Sequence, residues 1–166
     1  MSPIDALTKE FAHETTTTRR HLERLPPDKL SWRPHAKSFT AIGLASHLVE
    51  CVRFAEPIFD APELDFDPAT FRPFVAASVE ELLHAYDEAV EKGAAALARG
   101  SDVSAAELWR FSIKGRVRFE RPRAAVFRDF TLSHLIHHRG QFSVYLRMAG
   151  GKVPSIYGPT ADESWM

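Results

Sequence analysis

Between Thr131 and Gly150 the chain reads TLSHLIHHRGQFSVYLRMAG, a long helix-favouring run that ends on a glycine pair. It carries His134, His137 and His138 within one and a half turns. Residues four apart on a helix share a face, with Cβ atoms about 5–6 Å apart. His134 and His138 therefore stand side by side, near enough to hold one metal ion, while His137 points about 60° away. One helix cannot close such a site, so a third ligand has to come from elsewhere, and His47 is the good candidate. The alternative for His47, a hydrogen-bonded core histidine, stays open on spacing alone.

Apolar periodicity supplies the frame for that helix. Ser2, Pro3 and Asp5 form a helix start: a capping hydroxyl, a proline at the first position and an early carboxylate. Ile4, Leu7, Phe11, Thr15, Thr18, Leu22 and Leu25 then recur at three- and four-residue intervals up to Pro26-Pro27. Thr40 can cap a second helix, Ala41 to about Phe59, with Leu44, Leu48, Cys51, Ala55 and Ile58 as its stripe and His47 beside it. Ser78 answered by Glu81 has capping-box spacing and opens a third helix to about Arg99. A fourth spans Ala124 to Met148. Asp60 to Pro73, acidic and proline-rich, is expected as an irregular connection. LWRFSIKGRVRF, Leu108 to Phe119, alternates with period two around Lys114-Gly115, which predicts a small hairpin. The expected fold class is all-α: a four-helix bundle in one domain, residues 1–166, with a small extended or hairpin insert before the last helix. Ile156 and Tyr157 in the tail are expected to pack on the bundle.

A chain of 166 residues suits one such domain, and 45% hydrophobic with 26% charged residues is ordinary for a globular protein. A net charge of −1 provides no general attraction to nucleic acid or acidic membranes. Lys114, Arg116, Arg118, Arg121 and Arg123 form a basic cluster that suits the wet side of a hairpin better than a nucleic-acid patch. The single cysteine, Cys51, allows no intramolecular disulfide and fits a reducing compartment. With no leader-like apolar run and no stretch near the roughly 18 apolar residues of a membrane span, the expected location is cytoplasmic.

Three imidazoles with a fourth position left for water make the catalytic rather than the structural zinc arrangement. Zinc lowers that water's pKa towards about 7. Gln141, three residues past His138, is placed to orient a ligand or to bond a neighbouring helix. Gly140 costs close to about 1 kcal/mol in a helix interior and makes sense where another helix or chain approaches. Cys51 lies one turn after His47, but as a small buried residue it needs no metal role. Glu50, Asp162 and Glu163 are general-base candidates by acidity alone, against a reading as surface carboxylates.

HLIHHRGQFSVYLRMAG, followed by SIYGPTADE and preceded far upstream by SWRPHAKSFT and TAIGLASHLVE, closely resembles the DinB family of DinB/YfiT-like metalloenzymes. The resemblance implies an up-down-down-up helical bundle, a divalent metal (zinc or nickel) on His47, His134 and His138, and a homodimer. It also implies thiol S-transferase-like or hydrolase-like chemistry on a small electrophilic substrate, with a low-molecular-weight thiol as co-substrate in the first case. The rival reading is a non-catalytic, stress-associated dimeric module that only holds metal.

Overall fold

The computed structural model describes residues 2–164. Helix α1 (Pro3–Leu22) begins at a capping box in which the Ser2 hydroxyl accepts the Asp5 amide at 3.3 Å and the Asp5 carboxylate accepts the Ser2 amide at 3.3 Å. The threonine run does not break it. Each hydroxyl bonds a carbonyl one turn back, Thr15 to Phe11 at 2.7 Å and Thr18 to Glu14 at 2.8 Å, so both polar side chains are satisfied while buried. Helix α2 (Ala41–Arg53) is capped by Thr40, whose hydroxyl accepts the Gly43 amide at 3.1 Å. The stripe expected to run on to about Phe59 is interrupted at Phe54, and a short α3 (Ala55–Asp60) follows. After strand β1 (Glu63–Phe66), helix α4 (Val79–Arg99) starts where Ser78 accepts the Glu81 amide at 3.1 Å. A five-residue α5 (Asp102–Ala106) leads to β2 (Leu108–Ile113) and β3 (Arg116–Pro122). The last rod is composite: α6 (Arg123–Phe127), a π-helical turn (Arg128–Ser133) and α7 (His134–Met148).

Helix α2 packs on α4 and α7, and α1 closes the other side against the same two helices. Leu44, Leu48, Cys51, Ala55 and Ile58 are all buried, as their spacing predicts. Gly93 lets α1, α3 and α4 approach closely, since a Cβ there would lie 2.7 Å from the Phe11 ring and 3.0 Å from Ala55. Gly140, by contrast, has no neighbour within 4 Å of that position, so no helix of this chain explains it.

The all-α four-helix bundle expected from the sequence is incorrect. The chain combines its helices with a three-stranded mixed sheet in the order β1-β2-β3. The β2/β3 hairpin is the predicted one, turning through Lys114 (φ 51°) and Gly115 (φ 70°). The addition is β1, inside the segment read as an irregular connection. It pairs in parallel with β2, Glu63 opposite Arg110 through Phe66 opposite Ile113. Its four residues alternate, with Leu64 and Phe66 half-buried and Glu63 and Asp65 exposed. Asp65 also ties the strand to the hairpin turn, its carboxylate accepting the Gly115 amide at 3.0 Å.

This sheet is joined to the helices through aromatic rings. Phe111 and Phe119 lie 5.4 Å apart, Phe130 of the π turn is 5.7 and 5.4 Å from them, and Phe54 is 5.7 Å from Phe130. Trp109 is fully buried, and its indole donates to the Pro57 carbonyl at 3.1 Å. The sheet is thereby held beside the junction of α2, α3 and the π turn.

Candidate metal centre

His47 stands on α2, three residues from Leu44 and flanking the buried stripe, so its ring reaches past the core towards α7. His134 opens α7, and His138 comes one turn later. The three rings converge, with centroids 5.1 Å apart for His47 and His134, 4.5 Å for His47 and His138, and 4.7 Å for His134 and His138. The π turn directly before His134 contributes to this. A π turn carries more residues per hydrogen-bonded ring than an α turn, so it rotates the helix on its C-terminal side relative to the helix on its N-terminal side.

Hydrogen bonds fix which nitrogens face inward. His47 Nδ1 donates to Glu50 Oε2 at 3.0 Å, which leaves Nε2 with its lone pair. His138 Nδ1 donates to Gln141 Oε1 at 2.8 Å, with the same consequence. His47 Nε2 and His134 Nε2 are 3.3 Å apart. Two nitrogens on one tetrahedral zinc, each about 2.0–2.1 Å from it, are separated by about 3.3–3.4 Å. The observed spacing fits a shared divalent cation.

Cys51 joins this group. One donor atom from each of His47, Cys51 and His134 lies within 4.8 Å of the others, making this the tight donor set among the described residues. His138 comes close as a ring but is not part of that set. Burial, with a smaller contribution from Glu50, pushes the Cys51 thiol up to about 12, so it keeps its proton at neutral pH unless a cation displaces it. Burial, then neighbouring His47, lowers the pKa of His134. His138 is lowered to about 4, again chiefly by burial, against the opposing pull of its bond to Gln141. Both imidazoles are therefore neutral at pH 7, the state in which imidazole binds metal.

Glu50 is the residue that sequence reasoning undervalued. It is half-buried rather than a surface carboxylate, with one oxygen on His47 and the other accepting the Phe74 amide at 3.0 Å. Its three-residue spacing from His47 was the available signal. Asp162 and Glu163 are not at the site. They hold the tail, Asp162 accepting the Val153 amide at 2.8 Å and Glu163 pairing with Arg20 at 2.7 Å and Arg24 at 3.0 Å. His137 is exposed, and its Nε2 is 3.1 Å from Gln141 Nε2. Tyr145 donates to the Phe39 carbonyl at 3.3 Å and packs edge-on against Trp32. The hairpin cluster is largely neutralised, with Lys114 paired to Asp67, Arg121 to Asp129 and Arg123 to Glu107.

A cavity of about 480 Å³ opens beside His47 and His134. Its walls are apolar: Phe54, Pro57, Leu64, Phe66, Phe71 and Phe74. Glu50, Arg53 and Arg72 complete it. A shallower hollow bounded by Phe130, Ser133 and His137 reaches His134 from another side.

The DinB family model matches residues 1–165, so the chain belongs to the DinB family. The Bacillus subtilis (strain 168) protein YrdA is 28% identical over 169 residues, covering 98% of this chain and 92% of that protein. The crystal structure of a DinB-like protein from Bacillus cereus ATCC 10987 superposes with a TM-score of 0.71 at 22% identity, covering 92% of this chain and 97% of that one. The DinB-like protein YjoA from Bacillus subtilis does so with a TM-score of 0.69 at 18% identity, covering 91% and 97%. At these identities the two structures are similar in fold.

Proposed function

We propose that this member of the DinB family is a divalent-metal-dependent enzyme whose ion, zinc or nickel, is held by His47, His134 and His138. Its reaction is thiol transfer to, or hydrolysis of, a small electrophilic substrate, with a low-molecular-weight thiol as co-substrate in the first case. The observation that carries the reading is the 3.3 Å approach of the Nε2 atoms of His47 and His134 beside a cavity large enough for a small molecule. When bound, the ion supplies Lewis acidity, which makes water or a thiol a competent nucleophile at neutral pH. The chain's own residues do the rest. Glu50 keeps the His47 proton on Nδ1, Gln141 does the same for His138, and the aromatic walls exclude water from the reacting group.

Cys51 provides a fourth donor that a closed, non-catalytic site would use. The cavity at His47 and His134 favours the open arrangement instead. Among the described residues no helix is long and apolar enough to cross a membrane. We assign the protein to the cytoplasm as a homodimer meeting across α7, where Gly140 is open and Val144 and Met148 are 58% and 57% exposed.

Elemental analysis of the purified chain and of His47→Ala, His134→Ala and His138→Ala tests the ligand set, together with turnover of a thiol panel against a reactive electrophile. Near-stoichiometric metal in the parent, lost from each variant without loss of folding, is the expected result. Metal content unchanged in His138→Ala but lost in Cys51→Ala would replace the open three-histidine site with a His/Cys/His one.

A further inference from the structure

The cavity beside the imidazoles has a charge asymmetry that the metal reading leaves unused. Its acidic lining residue is Glu50, and both oxygens of that carboxylate are already engaged, one by His47 and one by the Phe74 amide. Its two arginines are not so engaged. Arg53 lies over the Phe74 ring, 4.8 Å from its centroid, and pairs with no carboxylate among the described residues. Arg72 Nη1 donates to the Ala69 carbonyl at 3.0 Å and the Phe71 carbonyl at 2.9 Å, which anchors the guanidinium at the cavity while Nε and Nη2 find no protein acceptor among the described residues. Most arginines of this chain do find a carboxylate, as Arg19, Arg99, Arg110 and Arg128 show. The two that share this cavity do not. The hollow on the other side of His134 lacks this property, because among the described residues no arginine or lysine lines it and its one charged residue is the acidic Asp129.

We propose that the cavity binds an apolar-bodied carboxylate, an aryl or alkyl acid that lies along Phe66, Phe71 and Phe74 with its anionic end held by Arg53 and Arg72. This deepens the proposed function by naming the substrate class, and it rests on that function only for the chemistry after binding. Glu50 faces His47 and the Phe74 amide, so the two guanidinium groups outnumber the one carboxylate of the lining, and an excess of positive charge on low-dielectric walls concentrates ligands of the opposite sign. A guanidinium that is already oriented, by a ring face or by backbone carbonyls, loses little freedom in forming a bidentate pair with a carboxylate. The apolar walls contribute affinity that a small hydrophilic acid cannot use.

Isothermal titration of the full-length chain, as purified and after stripping with EDTA, tests this with three probes: 3-phenylpropionate, 3-phenylpropionamide and propionate. The aryl acid should bind at least about tenfold more tightly than either control, in both forms of the protein. The Arg53→Gln/Arg72→Gln variant should bring the acid down to the amide's affinity, and Arg53→Lys/Arg72→Lys should retain part of the preference. If the double glutamine variant does not fold, Arg72→Gln alone carries the test, since that side chain bonds only exposed loop carbonyls. Equal affinities for acid and amide, or a preference that survives removal of both guanidinium groups, would overturn the proposal. So would a preference that vanishes on EDTA treatment, which would mean that the carboxylate sits on the ion. Failure of the metal reading has a separate signature, a purified chain without metal, which leaves the titration of the stripped protein unaffected.

Discussion

Replacing Glu50 by glutamine changes one atom and forces a choice on His47. The carboxylate now accepts twice, from His47 Nδ1 at 3.0 Å and from the Phe74 amide at 3.0 Å. Glutamine has one accepting oxygen and a donating NH2. If the oxygen stays on Phe74, the NH2 faces His47 Nδ1 and the ring must move its proton to Nε2. That is the nitrogen 3.3 Å from His134 Nε2, and protonating it removes its lone pair from the site. If the oxygen stays on His47, the Phe74 amide meets a donor and the segment beside the cavity loosens. Changes to such supporting partners of metal-binding histidines typically lower metal affinity about 10–100-fold, or about 1.4–2.7 kcal/mol. Competition against a chromophoric chelator measures this directly, with thermal unfolding as the check that the fold survives. The expected outcome is a loss of at least about tenfold in zinc affinity with a small change in folding stability. An affinity within threefold of the parent would show that Glu50 does not set the tautomer of His47.

Two further predictions concern stability rather than metal. Arg139 and Glu14 are 1% and 4% exposed and pair at 2.7 Å, with Tyr157 donating its hydroxyl to Glu14 at 2.7 Å and accepting from Arg139 at 2.8 Å. Glu14→Ala leaves the guanidinium buried without its counter-charge and should cost about 3–5 kcal/mol in urea denaturation; a loss under about 1 kcal/mol would mean that the pair relaxes into water. His21 is fully buried, donates Nδ1–H to the Thr17 carbonyl at 3.0 Å, and has an Nε2 without a partner among the described residues; burial lowers its pKa to about 4. Its folded pKa lies below the ordinary 6.5, so the unfolded chain binds more protons between those values. The stabilisation is therefore complete above about pH 6.5 and is lost as pH falls towards 4, by about 3 kcal/mol at most. His21→Leu should flatten that part of the stability–pH curve, and parallel curves for parent and variant would refute the assignment.

How much of the structure is legible in the residues depends on how local each feature is. The starts of α1, α2 and α4 were legible because a cap and an apolar stripe are written within one or two turns of chain. The pairing of His134 with His138 was legible for the same reason. Strand β1 was not, because its four residues carry a period-two pattern too short to stand out among prolines and acids, and the β2 partner that makes it a strand lies far downstream. The π turn was equally invisible, since no residue type marks it, yet it bears on where His134 points. Gly140 is a different case: a glycine in a helix implies a close neighbour, either a helix or another chain, and among the described residues of this chain none lies within 4 Å, so only the first alternative is answered.

These omissions fall on one part of the molecule, and that has a physical reason. Helices alone bring the imidazoles together, but most of the walls that make a cavity beside them come from the unread segment between α3 and α4: Leu64 and Phe66 from β1, Phe71 and Phe74 from the chain just after it. That chain is fastened to α2 by two side chains. Ser46 accepts the Ala76 amide at 3.0 Å, and Glu50 accepts the Phe74 amide at the same distance. Glu50 thus holds the wall and the His47 proton with one carboxylate. A displacement of the wall would be felt at Nδ1 of His47, and a change at His47 would be felt by the wall. A helical scaffold lacking β1 and the segment after it would still bring the histidines together, but it would not couple them to a pocket.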